Sequence, residues 1–409
     1  MLGFGRKSTP ITLDRLAGMV GWLGWGTSTG MAVTAANAVD ITAVFCAARV
    51  IAEGIAQMPV RVLADTIKEG QRRTTIAREH WAHRLLAVRP NGWQTSYEFR
   101  EGMIFNAALG EGAVAIKVVV RGEVKELLPV PAGSWSVEQT ADWGLKFRVN
   151  YADKTHGYFG LDQIFYLRGP ATDGFKALPA IRQAREAIGL SKALETQQAR
   201  LANNGGKPSG VLGFKNPLLP ETREKLRKSW KERFGPGGEG GVAILDGDAT
   251  FSTMTMTSVD AQYIETRRMQ IEEIARAFRV QPIMLMQADK AATFASAEQM
   301  FRMHVIHTLG PWIARWEQAC NRDILGITEE NPDGGLRVDL DERELLRGNF
   351  ADQAAYYTKA LGAGGQPAWM TPNEVREEVG RDPVDAPWAN ELPRGAMNPT
   401  KEVQNDPSA

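Results

Sequence analysis

The chain has 409 residues and a mass of 44.9 kDa, enough for roughly two to three domains. Its 43% hydrophobic and 23% charged residues are ordinary for a globular protein and argue against extensive disorder. Lys plus Arg and Asp plus Glu number 48 each, so the zero net charge excludes a global positive field that attracts nucleic acid. Two cysteines, Cys46 and Cys320, are too few for a disulfide framework or a cysteine-based zinc site.

The first predicted element, after an N-terminal arm (residues 1–39) that we expect to be mobile, is a helix over residues 40–57. Asp40 is its candidate N-cap, and apolar side chains recur on one face at helical spacing. Strands are predicted where polarity alternates or β-branched residues cluster between turns, over residues 58–63, 113–120, 127–130, 145–150 and 163–167. Residues 40–177 therefore predict one mixed α/β domain.

Two long helices flank a small insertion in the next part of the chain. The first helix spans residues 178–204 and ends at an Asn-Asn-Gly-Gly stop signal, and the second spans residues 259–278. The insertion, residues 205–258, predicts a strand, a charged helix, a glycine-rich turn and a strand, at 209–214, 221–234, 235–241 and 242–245.

Charged residues distinguish the insertion helix and the second long helix. The insertion helix carries an excess of basic residues, among them Arg223, Arg227, Lys228 and Lys231. The long helix that follows has charges of alternating sign opposite an apolar stripe, at Glu265, Arg268, Glu272 and Arg276. A solvated surface is the commoner interpretation of such patterns, but basic helices also bind phosphates or acidic proteins, and charge ladders also join copies of one chain.

The helical pattern stops over residues 281–296. A third long helix is predicted over residues 297–325, and Pro311 inside it predicts a kink. Loops as long as this break are uncommon inside compact domains and are often functional. The break therefore indicates function more strongly than any histidine in the chain.

The C-terminal part predicts a strand at 336–340, a helix at 343–361 and a shorter helix that Thr371 caps, with Pro372 in its first position. Residues 386–409 are expected to form a flexible tail. From Gly326 onward the chain has sixteen acidic and eight basic residues. The opposed charge of tail and body is compatible with head-to-tail association of copies, although an acidic solvated surface is commoner.

No complete catalytic or cofactor motif is present. The glycine-rich turn lacks the Lys-Ser/Thr of a phosphate-binding loop and precedes a strand rather than a helix. His304 with His307, which are predicted to share a helical face, and Asp246 with Asp248 are incomplete metal-binding sets. We expect no cofactor and no metal. Two alternatives remain open: a metal-dependent nucleic-acid-processing enzyme that uses these residues, and a monomeric DNA-binding module.

Short sequences in a shared order resemble the portal proteins of long-tailed double-stranded DNA bacteriophages, a family with prophage and gene transfer agent versions. The resemblance covers roughly residues 35–385. It is carried by AVFCAARVIAE at 43–53, HRLL at 83–86, RPN at 89–91, NGGKPSGVL at 204–212, DAQY at 260–263, EEIAR at 272–276, ATF at 292–294, LGPW at 309–312 and MTPNE at 370–374.

The resemblance implies an α+β portal fold with a mixed α/β wing, a two-helix stem, a small α/β clip, a long kinked wing helix and a helical crown. The implied order is wing, stem helix, clip, stem helix, tunnel loop, wing and crown, at residues 40–177, 178–204, 205–258, 259–280, 281–296, 297–342 and 343–385. Such subunits are not enzymes. They form a ring, expected to be a dodecamer, at one capsid vertex of the virion, after assembly in the host cytoplasm.

The resemblance also implies partners and sites. The expected partners are other copies of the chain, double-stranded DNA in the channel, the terminase large subunit, the major capsid protein and a head-completion protein, with no membrane involved. Residues expected to face DNA in the tunnel loop are Gln287, Asp289, Lys290 and Thr293, and Lys290 is the candidate for a transient phosphate contact. The basic clip residues (Arg223, Arg227, Lys228, Lys231) are expected to dock terminase during packaging and the head-completion protein afterwards. The charged stem residues (Glu265, Arg268, Glu272, Arg276) are expected between subunits.

Overall fold

The computed structural model describes residues 25–68, 71–203, 211–213, 219–234, 250–252, 259–287, 294–327, 335–342, 345, 350–363, 367–379 and 381–393. The chain divides into two compact units, residues 1–341 and 342–409. The first unit contains the predicted wing, stem, clip and tunnel loop, and the second contains the predicted crown.

A small N-terminal hairpin opens the first unit. Strands β1 (Trp25–Gly26) and β2 (Ala32–Val33) pair antiparallel and lead into helix α1 (Ala35–Ala38), where Thr34 and Asn37 form a capping box. The hairpin binds the first stem helix, because the backbone N–H and hydroxyl of Ser28 both donate to Glu186 Oε2, at 3.0 and 2.7 Å. This part of the expected mobile arm is therefore packed.

Helices α2 (Thr42–Ala56), α3 (Trp81–His83, continued by a π-helical turn at Arg84–Val88) and α4 (Ser96–Leu109) form the helical layer of the wing. The predicted cap of α2 is wrong. Ile41 occupies the N-cap without a side-chain bond, because the Asp40 carboxylate lies one residue earlier and accepts from Lys192 Nζ at 2.8 Å.

Helix α4 has no counterpart in the sequence prediction. Its buried side includes Ser96 and Arg100 among the apolar residues, which hides the amphipathic pattern. Arg100 Nη2 donates to Ala56 O at 2.6 Å and so satisfies the C-terminal end of α2. Burial lowers the pKa of Arg100 to about 10.

One sheet joins the two ends of the first unit. Strand β3 (Val60–Lys68) pairs antiparallel with β4 (Gln71–Ile76) on one side and with β13 (Leu336–Leu340) on the other. Strand β13 has the predicted bounds, whereas β3 continues five residues beyond its predicted end at Leu63. After the stem, the clip and the long helix, the chain therefore returns to pair with β3, one of the first strands of the unit.

Two further antiparallel sheets enclose the core of the wing. One has the order β10 (Ile164–Leu167), β5 (Ala113–Val120), β6 (Glu123–Pro129). The other has the order β7 (Trp135–Gln139), β8 (Leu145–Asn150), β9 (His156–Gly160). Buried side chains from both sheets form one cluster, with Val114, Ile164 and Tyr166 from the first and Val137, Phe147 and Val149 from the second.

The predicted stem consists of α5 (Ala180–Gln183) with α6 (Arg185–Asn203), interrupted at Ala184, and of α8 (Val259–Phe278). In the clip, β11 (Val211–Gly213) pairs with β12 (Thr250–Ser252), and α7 (Pro220–Phe234) lies between them in the chain. The strand predicted at 242–245 and the glycine-rich turn lie outside the described residues.

The long wing helix has three parts. Helix α9 (Phe294–Met303) continues into a π-helical turn (His304–Leu309) and then α10 (Gly310–Asp323). The irregularity predicted from Pro311 takes the form of this widened turn, which ends at Leu309, two residues before the proline that has no N–H to donate. The predicted helical break at 281–296 is too long, since a 3₁₀ turn occupies Pro282–Leu285 and α9 begins at Phe294.

The second unit contains α11 (Phe350–Ala360), α12 (Pro372–Glu378) and a 3₁₀ turn at Pro387–Asn390. Thr371 caps α12 as predicted, because its hydroxyl accepts from the N–H of Glu374 at 3.2 Å. Asn373 Nδ2 donates to Asn390 Oδ1 at 2.8 Å, and Ala389 is fully buried. The expected flexible tail therefore begins with a packed turn.

Candidate channel, docking and subunit interfaces

An ion pair joins the two helices of the predicted stem. Arg267 Nη2 of α8 lies 2.9 Å from Glu195 Oε1 of α6, and Arg267 Nη1 also donates to Tyr263 OH at 3.2 Å. Further along α8, Gln270 and Ile274 are buried. These contacts define the inner side of α8, the side that faces the rest of the subunit.

The predicted charge ladder occupies the outer side of α8. Glu265, Arg268, Glu272 and Arg276 are all exposed. Met269 lies among them and is 59% exposed, which is unusual for a large apolar side chain on a helix. The buried part of the apolar stripe is shorter than predicted, because Ile264 is exposed. A contact of this outer side with another subunit stays a prediction.

The root of the predicted tunnel loop is held between the stem and the long wing helix. Thr308 Oγ1 of the π-helical turn donates to Arg279 O at 2.7 Å, and Val280 N–H donates to Ala275 O at 2.9 Å. The thiol of Cys46 on α2 lies 3.7 Å from Met284 O in the 3₁₀ turn. Three elements therefore fix the point at which the chain enters the loop.

At the end of this root, Met286 adopts a left-handed conformation (φ 60°) and its side chain is 90% exposed. The Gln287 side chain is half-buried, and its Oε1 has no hydrogen-bond partner among the described residues. Asp289, Lys290 and Thr293 lie outside the described residues. Of the four residues predicted to face DNA, the structure therefore describes Gln287 alone.

The two histidines of the candidate metal pair do not share the helical face that their spacing predicts. His304 is buried, and its Nδ1 has no partner among the described residues, whereas His307 is exposed. The two residues lie in the π-helical turn, whose wider spacing separates residues three positions apart further around the axis than an α-helix does. Burial lowers the pKa of His304 and so favours its neutral form.

The second candidate metal pair, Asp246 and Asp248, lies outside the described residues. Over the part of the chain that the structure describes, no group of three or more His, Cys, Asp or Glu side chains is arranged to bind a metal ion. In that same part, no helix combines the length and the apolar composition that a bilayer span requires.

The basic helix of the clip, α7, is open to solvent along its described side chains. Arg223 and Lys228 are exposed, and so is Lys225 on another side of the helix. Arg227 and Lys231 belong to the helix, but their side chains lie outside the described ones. The helix therefore presents at least part of the predicted basic surface to solvent.

A buried acidic residue that the sequence analysis missed attaches the long helix to the wing sheet. Asp323 Oδ2 accepts from the N–H of Tyr166 at 2.9 Å, and Asp323 Oδ1 accepts from Arg322 Nε at 2.6 Å. Arg322 Nη2 donates to Tyr166 O at 2.9 Å, and the bond to Asp323 raises the pKa of Arg322. The only sequence signal was an adjacent Arg-Asp pair at the end of an apolar helix.

Comparison with known proteins places these features in a family. The family model described as phage portal protein matches residues 42–380. The chain is similar to the portal protein of Enterobacteria phage HK97, with 30% identity over 305 residues, 74% of this chain and 70% of that protein. It is also similar to the probable portal protein of Streptomyces phage phiC31, with 26% identity over 324 residues, 75% of this chain and 69% of that protein.

The fold is similar to that of a chain in the solved neck of a native gene transfer agent particle, computed with C12 symmetry. The TM-score is 0.56 at 20% identity, and the match covers 90% of this chain and 99% of that chain. At this identity the similarity concerns the fold alone. The α+β architecture predicted from the sequence is confirmed.

Proposed function

The chain belongs to the phage portal protein family, and from this premise we propose that it is a subunit of the ring at one capsid vertex through which double-stranded DNA is packaged and ejected. The observation that carries the proposal is the family match over residues 42–380. The fold match to a neck computed with C12 symmetry supports a ring, which we propose to be a dodecamer. The site in the virion and assembly in the host cytoplasm are parts of the same proposal.

Ring formation requires two different, complementary faces on each subunit, because a head-to-tail contact whose rotation closes produces a cyclic oligomer. The outer side of α8, with Glu265, Arg268, Glu272 and Arg276, is one candidate for part of such a contact. Both signs of charge alternate along it, and Met269 is exposed among them. These residues would face the stem of the neighbouring copy.

The tunnel loop (residues 281–296) is the candidate for the narrowest part of the channel. Gln287, Asp289, Lys290 and Thr293 would line it, and Lys290 would make a transient phosphate contact. Each phosphate that a protein neutralises adds salt-dependent binding, so a channel that lets DNA move should carry few uncompensated bases. The zero net charge of the chain and the acid next to Lys290 agree with that requirement.

The clip helix α7 is the candidate docking element. Its exposed Arg223 and Lys228, with Arg227 and Lys231, would bind the terminase large subunit during packaging and a head-completion protein afterwards. Basic side chains on a projecting helix bind acidic protein surfaces with strong dependence on salt. The major capsid protein is a further expected partner of the ring.

The family is structural, and we infer that this chain is not an enzyme. The metal-dependent alternative rested on Asp246 with Asp248 or on the histidine pair. The histidines do not share one face, since His304 is buried and His307 is exposed, and the two aspartates lie outside the described residues. Its test is direct. Metal analysis of the purified protein and a nuclease assay on His304→Ala and Asp246→Ala should detect neither a stoichiometric metal nor a cleavage activity that the substitutions remove.

The test of the channel role is removal of residues 287–295. Rings should still form, while the length of packaged DNA or its retention changes. A variant in which Gly and Ser replace residues 288–293 at the original length is the matched control, since it keeps the loop but removes Asp289, Lys290 and Thr293. Unaltered packaging by both variants would contradict the role of the loop.

A further inference from the structure

Two areas on the first unit expose apolar side chains next to charges of opposite sign. The first, which we call the aromatic surface, combines one side of α2 with one side of α4. It consists of Phe45, Arg49 and Glu53 from α2 and Tyr97, Glu101 and Phe105 from α4. Phe45 and Phe105 contact edge to face, with ring centroids 6.1 Å apart. Phe45 and Tyr97 are both exposed although both are aromatic.

The aromatic surface has an excess of acidic groups. Arg49 Nε is paired with Glu53 Oε1 at 2.6 Å, so the charges of these two side chains offset each other. Glu101 is half-buried and has no ion-pair partner among the described residues. The pKa of Tyr97 is raised by partial burial and by the nearby charges of Glu101 and Glu53, which the charges of Arg49 and Arg100 offset only in part. Tyr97 therefore lies within the electrostatic field of both acids.

The second area, which we call the helical stripe, lies on α9 and the π-helical turn. Its residues are all exposed: Arg302, Met303, Ile306 and His307 share one side, and Phe301 lies on the adjoining side of the helix. Three of the five are large apolar residues, and the other two are basic. Residues 299–316 contain no Asp or Glu. The acid nearest to Arg302 along the helix is Glu298, one turn earlier, whose side chain lies outside the described ones.

The aromatic surface and the helical stripe lie on elements that also touch inside one subunit, but through their buried sides. A Cβ at Gly54 of α2 would lie 2.8 Å from Leu309 Cδ2, and Leu309 is the buried end of the π-helical turn. The exposed sides of α2 and of the turn therefore remain open to solvent. Exposed aromatic, Met and Ile side chains gathered in this way are typical of protein interfaces.

We propose that the helical stripe of one copy packs against the aromatic surface of the next copy in the ring. The inference rests on the proposed function, because a second copy is the partner that a portal ring supplies. The two areas differ in composition, as a head-to-tail contact requires, and their charges are complementary, with Arg302 opposite Glu101. Apolar side chains at the centre would exclude water from this pair.

Cross-linking between introduced cysteines tests the contact. In a Cys46→Ser background, Tyr97→Cys and Ile306→Cys are combined in one chain and treated with a short bis-maleimide. Head-to-tail packing predicts covalent species at successive multiples of the chain mass, up to the full ring. Each cysteine alone should give far less product. A matched control combines Ile306→Cys with Trp143→Cys, whose native side chain is 81% exposed in the turn between β7 and β8 and belongs to neither area.

Charge reversal provides the second test. Arg302→Glu and Glu101→Lys should each reduce the fraction of protein in rings several-fold, and the two together should restore it. Arg148→Glu is the control, since it reverses an exposed charge on β8 outside both areas. Ring fraction is measured by mass photometry and electron microscopy at low and moderate salt.

The outcomes separate the contact from the proposed function. Rings that form normally while the paired cysteines fail to cross-link, and while both charge reversals have no effect, would overturn the contact and leave the portal assignment standing. Unmodified protein that remains a single subunit would overturn the portal assignment and this contact with it. Cross-linking that stops at dimers would also contradict the proposal, since a symmetric pairing cannot close a ring.

Discussion

The carboxylate of Asp323, at the end of the long wing helix, accepts a hydrogen bond from the backbone N–H of Tyr166 in strand β10, 157 positions earlier in the chain, at 2.9 Å. Asp323 is almost completely buried. Arg322, the residue before it in the same helix, donates from Nη2 to Tyr166 O. The long helix is thereby fixed to the wing sheet at one end, while its other end leads into the tunnel loop.

Asp323→Ala should lower the free energy of unfolding by about 2–4 kcal/mol, because it leaves the Tyr166 N–H and the Arg322 guanidinium without their buried partner. Urea unfolding followed by tryptophan fluorescence measures the loss, since Trp316 lies in the same helix. Arg322→Ala is the control and should cost less, because the Arg322 side chain is 41% exposed. Equal and small effects of the two substitutions would contradict the assigned role.

Gly189 in α6 is required for docking of the N-terminal hairpin. A Cβ there would lie 2.8 Å from Thr27 Cγ2 and Oγ1. Gly189→Ala should therefore release the hairpin, although Gly→Ala inside a helix ordinarily stabilises it by up to about 1 kcal/mol. Faster proteolysis within residues 25–33 is the expected readout. Thr27→Gly combined with Gly189→Ala should restore protection, and an unchanged cleavage rate in Gly189→Ala alone would refute the requirement.

The buried His304 should make stability depend on pH. Its folded-state pKa is lowered by burial, whereas the unfolded chain binds the proton near pH 6.5. The unfolded state therefore binds more protons below about pH 6.5, so this contribution is present at higher pH and is lost as the pH falls toward the folded pKa. His304→Gln should flatten the fall in unfolding free energy between pH 7.5 and 5, while His307→Gln, at an exposed site, should not. Identical slopes in both variants would contradict the prediction.

Of two neighbouring arginines of α8, only one should matter for assembly. Arg268→Glu, on the outer side, should lower the ring fraction if that side faces the next stem. Arg267→Ala, on the inner side, removes the pair with Glu195 and should cost at most about 1 kcal/mol of stability, because the pair is largely exposed. Mass photometry of both variants measures this, and a full ring fraction for Arg268→Glu would argue against the stem contact.

The clip helix should act in docking and not in assembly. Arg223→Glu should leave the ring intact and weaken binding of the terminase large subunit, with a loss that shrinks as salt increases. Lys225→Glu makes the same change of charge two residues away, on the opposite side of α7, and should have a smaller effect. Pull-down of terminase by preformed rings distinguishes them. Equal binding by Arg223→Glu and unmodified rings would remove the helix from the docking surface.

Elements with strong periodicity could be predicted from the sequence to the residue. Strands β5, β8 and β13 and helix α8 have the predicted bounds. In β8, β13 and α8 polar and apolar residues repeat at the spacing of the structure they form, and β5 is a run of mostly β-branched and other apolar residues between turns. Helix α4 was missed because Arg100 and Ser96 are buried in it. Its capping box, Thr95 with Glu98, was the signal that could have located it.

The candidate sites could be predicted only where one helix carries them. The outer side of α8 follows from spacing within a single element. The contact of Asp323 with Tyr166 does not, because the two residues come from elements that meet only in the folded chain. Local propensity does not predict the π-helical turn either. The wider spacing of this turn is what leaves His304 buried and His307 exposed.

Electron microscopy of the purified full-length protein tests the central claim most directly. The account predicts annular particles of twelvefold symmetry with a central opening wide enough for a double helix, and with the tunnel loop at its narrowest point. A compact particle of one 44.9 kDa chain, or a ring in which Lys290 lies on the outer rim, would contradict it.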